Sequence, residues 1–467
     1  MPSETQTANP VSIPLLRAQV RGRVITADDP DYDKARQVAS GNVDRRPAAI
    51  VRVADASDVA RVVCIARDGR IPLAVRSGGH SNAGHGTVDD GIVLDLAEMK
   101  QIDIDPDLRT AWAETGLTAG EVTKAVGEHG LVVGFGDTGS VGIGGITLGG
   151  GIGYLVRKFG LTIDSLLGAE IVTADGELLS VDAEHHPDLF WAIRGGGGNF
   201  GVVTRFKFAL HELPEVVGGM LLLPATGETV AGFMAAAAAA PEELSAVVNI
   251  MPAMPMPFIP EDQVGRLSIM ALMCFAGDAE AGERAMAPFR ALATPMADFV
   301  KPMPYAGMYP PEEGGGDYHP KIEQQTLFGD GVDRAMADRI VEHLQASDAA
   351  MRAVQLRVLG GAVERVAPDA TAFAHRSQPM LGVVVTFCET EAERPRRRAW
   401  VEELAGALRG SQPGAYANFL MDEGEERVHE AYPGGTWDRL AEVKRRYDPT
   451  NLFRLNQNVP PAGGPSA

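Results

Sequence analysis

Apolar and polar positions set the rhythm of the chain from its start. Residues 50–53 form a short apolar run, and Ala54-Asp55-Ala56-Ser57-Asp58 reads as a helix opening. Val59, Val62, Val63, Ile65 and Ala66 then share one helical face, and 72–75 is apolar again. That pattern predicts a strand, a helix and a second strand, with Arg76-Ser77-Gly78-Gly79-His80-Ser81 leaving the strand end. Residues 92–96 and the alternating 111–114 read as further strands. Thr118 is placed to cap a helix reaching about His129, with Gly130 in the stop position. After the glycine run 142–153, residues 164–173 pass from helix to strand, and Asp175-Gly176 is the hairpin signal between 171–173 and 178–181. A short helix at 188–194 leads into a third glycine cluster, 195–201. The β-branched and aromatic stretch 202–208 is a strand.

From about Glu212 the texture changes to longer apolar strands, at 220–223, 267–275, 354–359 and 381–387, between alanine-rich helices. Helices at 333–347 and 395–409 are expected to cover one face of an antiparallel sheet. Pro395 suits a first helical position, and Pro241 ends the alanine run 235–240. The methionine- and proline-rich stretches 251–260 and 301–311 read as irregular loops. Alternation along 354–359 puts Gln355, Arg357 and Leu359 on one face and Val354, Leu356 and Val358 on the other. The fold class is therefore α+β in two domains, divided between residues 211 and 212.

Composition narrows the partners. The 467 residues are 45% hydrophobic and 22% charged, as in a soluble globular protein, and the net charge of −20 argues against nucleic acid or an anionic membrane as partner. Cys64, Cys274 and Cys388 stand far apart, so neither a disulfide framework nor a metal site is expected. The first 14 residues lack a basic stretch followed by an apolar one, and no apolar run is long enough to span a membrane, so the expected location is the cytoplasm.

The chemistry lies in the glycines. Glycine has no Cβ, so three glycine-dense loops in one domain can lay backbone amides around a phosphate-bearing ligand, and the first of these loops ends in His80. Gly196, Gly198 and Gly201 match the nicotinamide-dinucleotide spacing, but a helix precedes them and a strand follows, the reverse of what that fingerprint needs. No phosphate loop of the Gly-Lys-Ser/Thr kind is present. His85, His129, His185 and His186 have no ligand spacing and are read as surface or structural.

Together these motifs resemble the berberine bridge enzyme-like flavin oxidases of the vanillyl alcohol oxidase superfamily, whose FAD-binding fold is of the PCMH type. The resemblance rests on Arg76-Ser-Gly-Gly-His80-Ser and on Val141-Gly-x-Gly-Gly with Gly149-Gly-Gly-x-Gly153, Arg157, Gly160 and Asp164. It continues through residues 188–203, Gly360-Gly-Ala, His375-Arg376, Tyr416-x-Asn418-Phe419 and Lys444-x-x-Tyr447-Asp-Pro-x-Asn451. It implies FAD bound covalently through His80 in a loop made by Arg76, Ser77, Gly78, Gly79 and Ser81. Thr138, Gly139, Val141, Gly142, Gly145, Gly149, Gly150 and Gly153 would continue the cofactor site, Val203 would meet the adenine side, and Asn456 and Asn458 would return to the flavin ring. By the same resemblance, residues 1–211 form the FAD domain, 212–425 the substrate domain, and 426–467 a segment returning to the first.

Some relatives carry a second, cysteinyl link where this chain has Thr138, so one attachment is expected. Val141 goes with oxidase behaviour: hydride leaves a small molecule's C–H beside oxygen or nitrogen, and O2 is reduced to H2O2. The alternatives are a dehydrogenase with another acceptor and a flavin-bearing sequestering protein. The usual base, a second tyrosine in the Tyr-x-Asn motif, is Phe419 here, which cannot take a proton. Tyr416 with a lowered pKa, Gln355 and Arg357 are the candidate replacements, and an amine substrate would need no strong base.

Overall fold

The computed structural model describes residues 10–310 and 319–463. Residues 1–9 of the N-terminal stretch and Pro311 of the second proline-rich loop lie outside them.

Two larger sheets build the first part, beside a two-stranded ribbon of Leu131–Val132 and His211–Glu212. The smaller has four strands in the order Arg23–Ile25, Ala49–Arg52, Ile92–Asp95, Leu73–Arg76, with Ile92–Asp95 parallel to both of its neighbours. Helix Ala56–Gly69 connects Ala49–Arg52 to Leu73–Arg76. It starts where Asp55 accepts from the Asp58 amide, and it buries Val59, Val62, Val63 and Ala66 against Val51, Leu73 and Leu94. The Asp58 carboxylate, fully buried, accepts from the amides of Arg21, Gly22 and Ala54, so a charge otherwise costly to bury also ties down the preceding segment. The second sheet is antiparallel, in the order Ile102–Asp105, Thr110–Glu114, Val202–Ala209, Leu166–Val172, Leu178–Asp182. Its last pair is the hairpin expected at Gly176, whose φ of +84° suits glycine. Helix Ala119–Gly127 opens with the Thr118/Glu121 capping box.

The third sheet has eight strands, all antiparallel, running Ala297–Asp298, Val216–Pro224, Leu267–Phe275, Leu244–Pro252, Arg352–Val358, Met380–Cys388, Lys321–Gly329, with Lys301–Met303 beside Val216–Pro224. Helices Gly227–Ala239, Ala279–Arg290, Arg334–Ala346 and Arg394–Leu408 cover one face through Phe233, Phe289, Ile340 and Leu404, packed on Leu221, Ile250, Val354 and Leu356. The opposite face turns Val247, Cys274 and Leu381 toward Tyr154, Leu155 and Val156 of the first part. Arg352–Val358 alternates as expected. Ala297–Asp298, Leu244–Pro252 and Lys321–Gly329 are additions to the sequence reading, and Lys301–Met303 corrects the irregular loop expected there. Leu244–Pro252 is buried almost throughout, so it shows no alternation. Lys321–Gly329 carries Glu323, Gln324 and Gln325, and Glu323 is buried only because Arg394 and Arg398 pair with it.

The chain then comes back. Leu440, Val443 and Tyr447 of helix Gly435–Tyr447 share a core with Leu189, Phe190, Trp191 and Phe200 of the first part. No helix among the described residues is long and apolar enough to cross a membrane.

Candidate active site

A cavity of about 440 Å³ runs between the glycine loops and the face of the large sheet opposite its helices. The first loop is held from below. Arg76, 6% exposed, pairs with Asp95 at 2.9 Å while its stem passes beneath Gly79 and Gly86. Ser77 Oγ donates to the Thr115 carbonyl at 2.6 Å and accepts from the Gly144 amide at 3.2 Å, stitching the first loop to the second. Gly78 and Gly142 meet backbone to backbone: a Cβ on Gly78 would stand 2.3 Å from the Gly142 nitrogen. Gly78→Ala therefore forces the two loops apart, and the purified variant is expected to show a several-fold lower flavin-to-protein absorbance ratio. An unchanged ratio would mean that this contact does not shape the cradle.

His80 lines the cavity with its Nε2 3.2 Å from Ser140 Oγ. Asp137, Thr138, Val141, Gly142 and Gly145 line it from the second loop, and Gly197, Gly198, Gly201, Val202 and Val203 from the third. Asn456 and Gln457 close it from the C-terminal segment, which Asn199 fixes by donating to the Gln457 carbonyl and accepting from the Val459 amide.

Five expected cofactor positions lie elsewhere. Gly139, Gly149, Gly150, Gly153 and Asn458 are not among the lining residues. The glycines instead fold the second segment: a Cβ on Gly149 would strike Asn418, and one on Gly153 would strike the Gly136 carbonyl.

On the sheet side the lining residues are Arg357, Tyr416, Asn418 and Phe419. Arg357, 4% exposed, donates to Asp137 Oδ2 at 2.6 Å, Gln355 Oε1 at 2.7 Å and the Ile152 carbonyl at 3.0 Å, and lies 5.0 Å from the centre of the Phe419 ring. Its guanidinium is thus a paired wall element. Gln355 lies outside the lining and spends its amide nitrogen on Asn249, so the structure corrects its reading as a site residue. The Tyr416 hydroxyl accepts from the Gly151 amide at 3.0 Å and from Asn418 Nδ2 at 2.9 Å. Burial raises its pKa despite those two bonds, the opposite of the lowering that a base role requires.

Sequence reasoning missed Asp137, Asn82 and Tyr432, which line the cavity, and His85, read there as surface or structural, lines it too. Tyr309 and Tyr154 pin the second loop by donating to the carbonyls of Gly136 and Asp137. None of the three cysteines lines the cavity, and no group of three or more potential metal ligands occurs among the described residues.

The residues present fit FAD. A Cβ at Gly145 or Gly198 would project into open space, so the backbone there forms bare wall, while Tyr432 Oη and Asn456 Oδ1 are buried without a partner among the described residues, ready for a polar ligand.

Comparison with known proteins gives the same picture. Residues 47–182 match the family described as FAD binding domain, and residues 415–460 the family described as berberine and berberine like. (R)-6-hydroxynicotine oxidase of Paenarthrobacter nicotinovorans is 32% identical over 465 residues, covering 95% of this chain and 98% of that protein. An uncharacterized FAD-linked oxidoreductase of Bacillus subtilis is 31% identical, with the same coverage of 95% and 98%. The crystal structure of 6-hydroxy-D-nicotine oxidase from Arthrobacter nicotinovorans superposes with a TM-score of 0.84 at 29% identity, covering 96% of this chain and 99% of that one.

Proposed function

We propose that this chain, which belongs to the berberine bridge enzyme-like family of FAD-linked oxidoreductases, oxidises a small amine by taking hydride from a carbon beside nitrogen. It is an FAD-dependent oxidoreductase. FAD supplies the two-electron acceptor, and O2, reduced to H2O2, is the proposed final oxidant. Residues 1–211 and 426–467 are assigned to holding FAD and 212–425 to the substrate.

One observation carries the amine reading: among the described residues, the sheet-side wall holds no side chain poised to take a proton from an alcohol. Phe419 cannot take one. Tyr416 is committed to Gly151 and Asn418, and Arg357 is paired with Asp137. A neutral amine can lose hydride by pushing its own lone pair into the forming C=N bond, and so needs orientation more than a base. The chain's residues then have separable tasks. His80 tethers FAD, the only covalent link, since Thr138 has no thiol. The glycine loops hold its phosphates, small Val141 leaves room for oxygen, and the Arg357/Phe419/Asn418 wall orients the donor and excludes water. The relative named for (R)-6-hydroxynicotine favours the same class. Three free cysteines are in keeping with a cytoplasmic setting.

The test is anaerobic mixing of the holoenzyme with cyclic secondary and tertiary amines, against alcohols and oligosaccharides of similar size. Amines should bleach the flavin absorbance, and admitting air should restore it within seconds with one H2O2 per turnover. Bleaching by alcohols alone would overturn the amine assignment, and slow return of colour in air would make the enzyme a dehydrogenase.

A further inference from the structure

Among the described residues two histidines line the cavity, His80 and His85. The loop carrying His80 turns back on itself, Gly84 donating to the Ser81 carbonyl and Thr87 to the Gly84 carbonyl. Arg45 grips the carbonyls of Gly84 and Thr87 at 3.1 and 2.9 Å, so the backbone on both sides of His85 is fixed. Across the cavity, Asn82 donates to Gln324 Oε1, and Gln324 Nε2 donates to the Phe419 carbonyl at 2.7 Å. The His85 loop and the Phe419 wall are therefore parts of one hydrogen-bonded frame.

The ring itself is uncommitted. His211 is bonded to Ser165, His343 to the Trp400 carbonyl and His375 to the Glu430 carbonyl, whereas the half-buried His85 makes no hydrogen bond among the described residues. Two charges bear on it from neighbouring segments, Arg45 and Asp422. Burial, seconded by Arg45 and opposed by Asp422, holds its pKa down at about 4. At neutral pH the ring is thus a free base with one nitrogen that accepts and one that donates.

We propose that His85 is a substrate-orienting residue whose imidazole accepts a hydrogen bond from an O–H or N–H on the molecule to be oxidised, so that the enzyme prefers donors bearing such a group. This rests on the reading of the cavity as an oxidation site but not on which bond is oxidised. No proton transfer is involved. A ring so hard to protonate is a poor proton acceptor and a serviceable hydrogen-bond acceptor.

The experiment titrates FAD-loaded enzyme with phenol and with anisole, matched in shape but differing in the O–H, and follows the flavin spectrum. Phenol should bind about tenfold more tightly than anisole, the size of one net hydrogen bond. His85→Leu should bring the two within about twofold, and His85→Gln, which keeps an acceptor, should restore part of the preference. Melting temperature and flavin content should stay unchanged in both variants. The wild-type preference should also be flat between about pH 6 and 8, where an ordinary histidine would titrate. A preference that survives in His85→Leu, or its absence from the wild type, overturns the proposal. If amines fail to reduce the flavin while the His85-dependent preference persists, the amine reading falls and this one stands.

Discussion

Alanine in place of His80 is expected to give protein whose acid precipitate is white, with all its yellow colour left in the supernatant, where the proposed bond should give the unsubstituted enzyme a yellow pellet. A covalent bond survives unfolding and a cradle does not, so denaturation separates the two contributions. Alanine removes the only nucleophile at that loop position and leaves the glycine walls intact. The Arg76–Asp95 pair, the Ser77 bridge and the Gly78–Gly142 contact do not involve the ring. The native variant should therefore still bind added FAD reversibly, with a measurable dissociation constant, while attachment falls from stoichiometric to none. Ser140, beside Nε2, orients the ring, so Ser140→Ala should slow attachment without abolishing it. A yellow pellet from His80→Ala would place the bond on another residue, and a white pellet from the wild type would deny it altogether.

The glycine loops were legible in the sequence because their physical requirement is local. Strands short enough to end at a Gly-Gly pair, a capped helix after Asp55 and a hairpin at Asp175-Gly176 each leave a signature within a few residues. The cavity's polar wall was not legible. Asp137 meets Arg357 across 220 residues and Asn82 meets Gln324 across 242, and no pattern of alternation or capping marks such pairs. His85 illustrates the same limit from the other side. Five residues after His80, it had no ligand spacing to recommend it, and only the folding back of its loop puts the ring in the cavity. Gln355 failed for a subtler reason. Alternation placed it correctly on the cavity side of its strand, but Arg357, two residues on, reaches over it and takes its carbonyl oxygen.

The Lys444 motif shows a resemblance acquiring a physical cause. Lys444 and Asp448 are both fully buried one helical turn apart, joined at 2.7 Å. Lys444 Nζ also donates to the carbonyls of Asn199 and Phe453, at 2.6 and 2.8 Å, and Asp448 accepts from the amides of Leu452 and Phe453. One ammonium thus joins the third glycine loop to the C-terminal segment that carries Asn456 and Gln457 to the cavity. A buried ion pair adds little over a well-packed apolar pair, but removing one partner strands the other charge. Lys444→Ala should cost about 3–5 kcal/mol, as a fall in melting temperature of roughly 5 °C, and should loosen the FAD end of the cavity enough to lower flavin content. Lys444→Met combined with Asp448→Asn removes both charges and should recover part of that loss, the recovery measuring the coupling. Should Lys444→Ala melt within a degree or so of wild type, the ammonium is not what fastens the C-terminal segment, and the Leu440/Val443/Tyr447 packing must hold it alone.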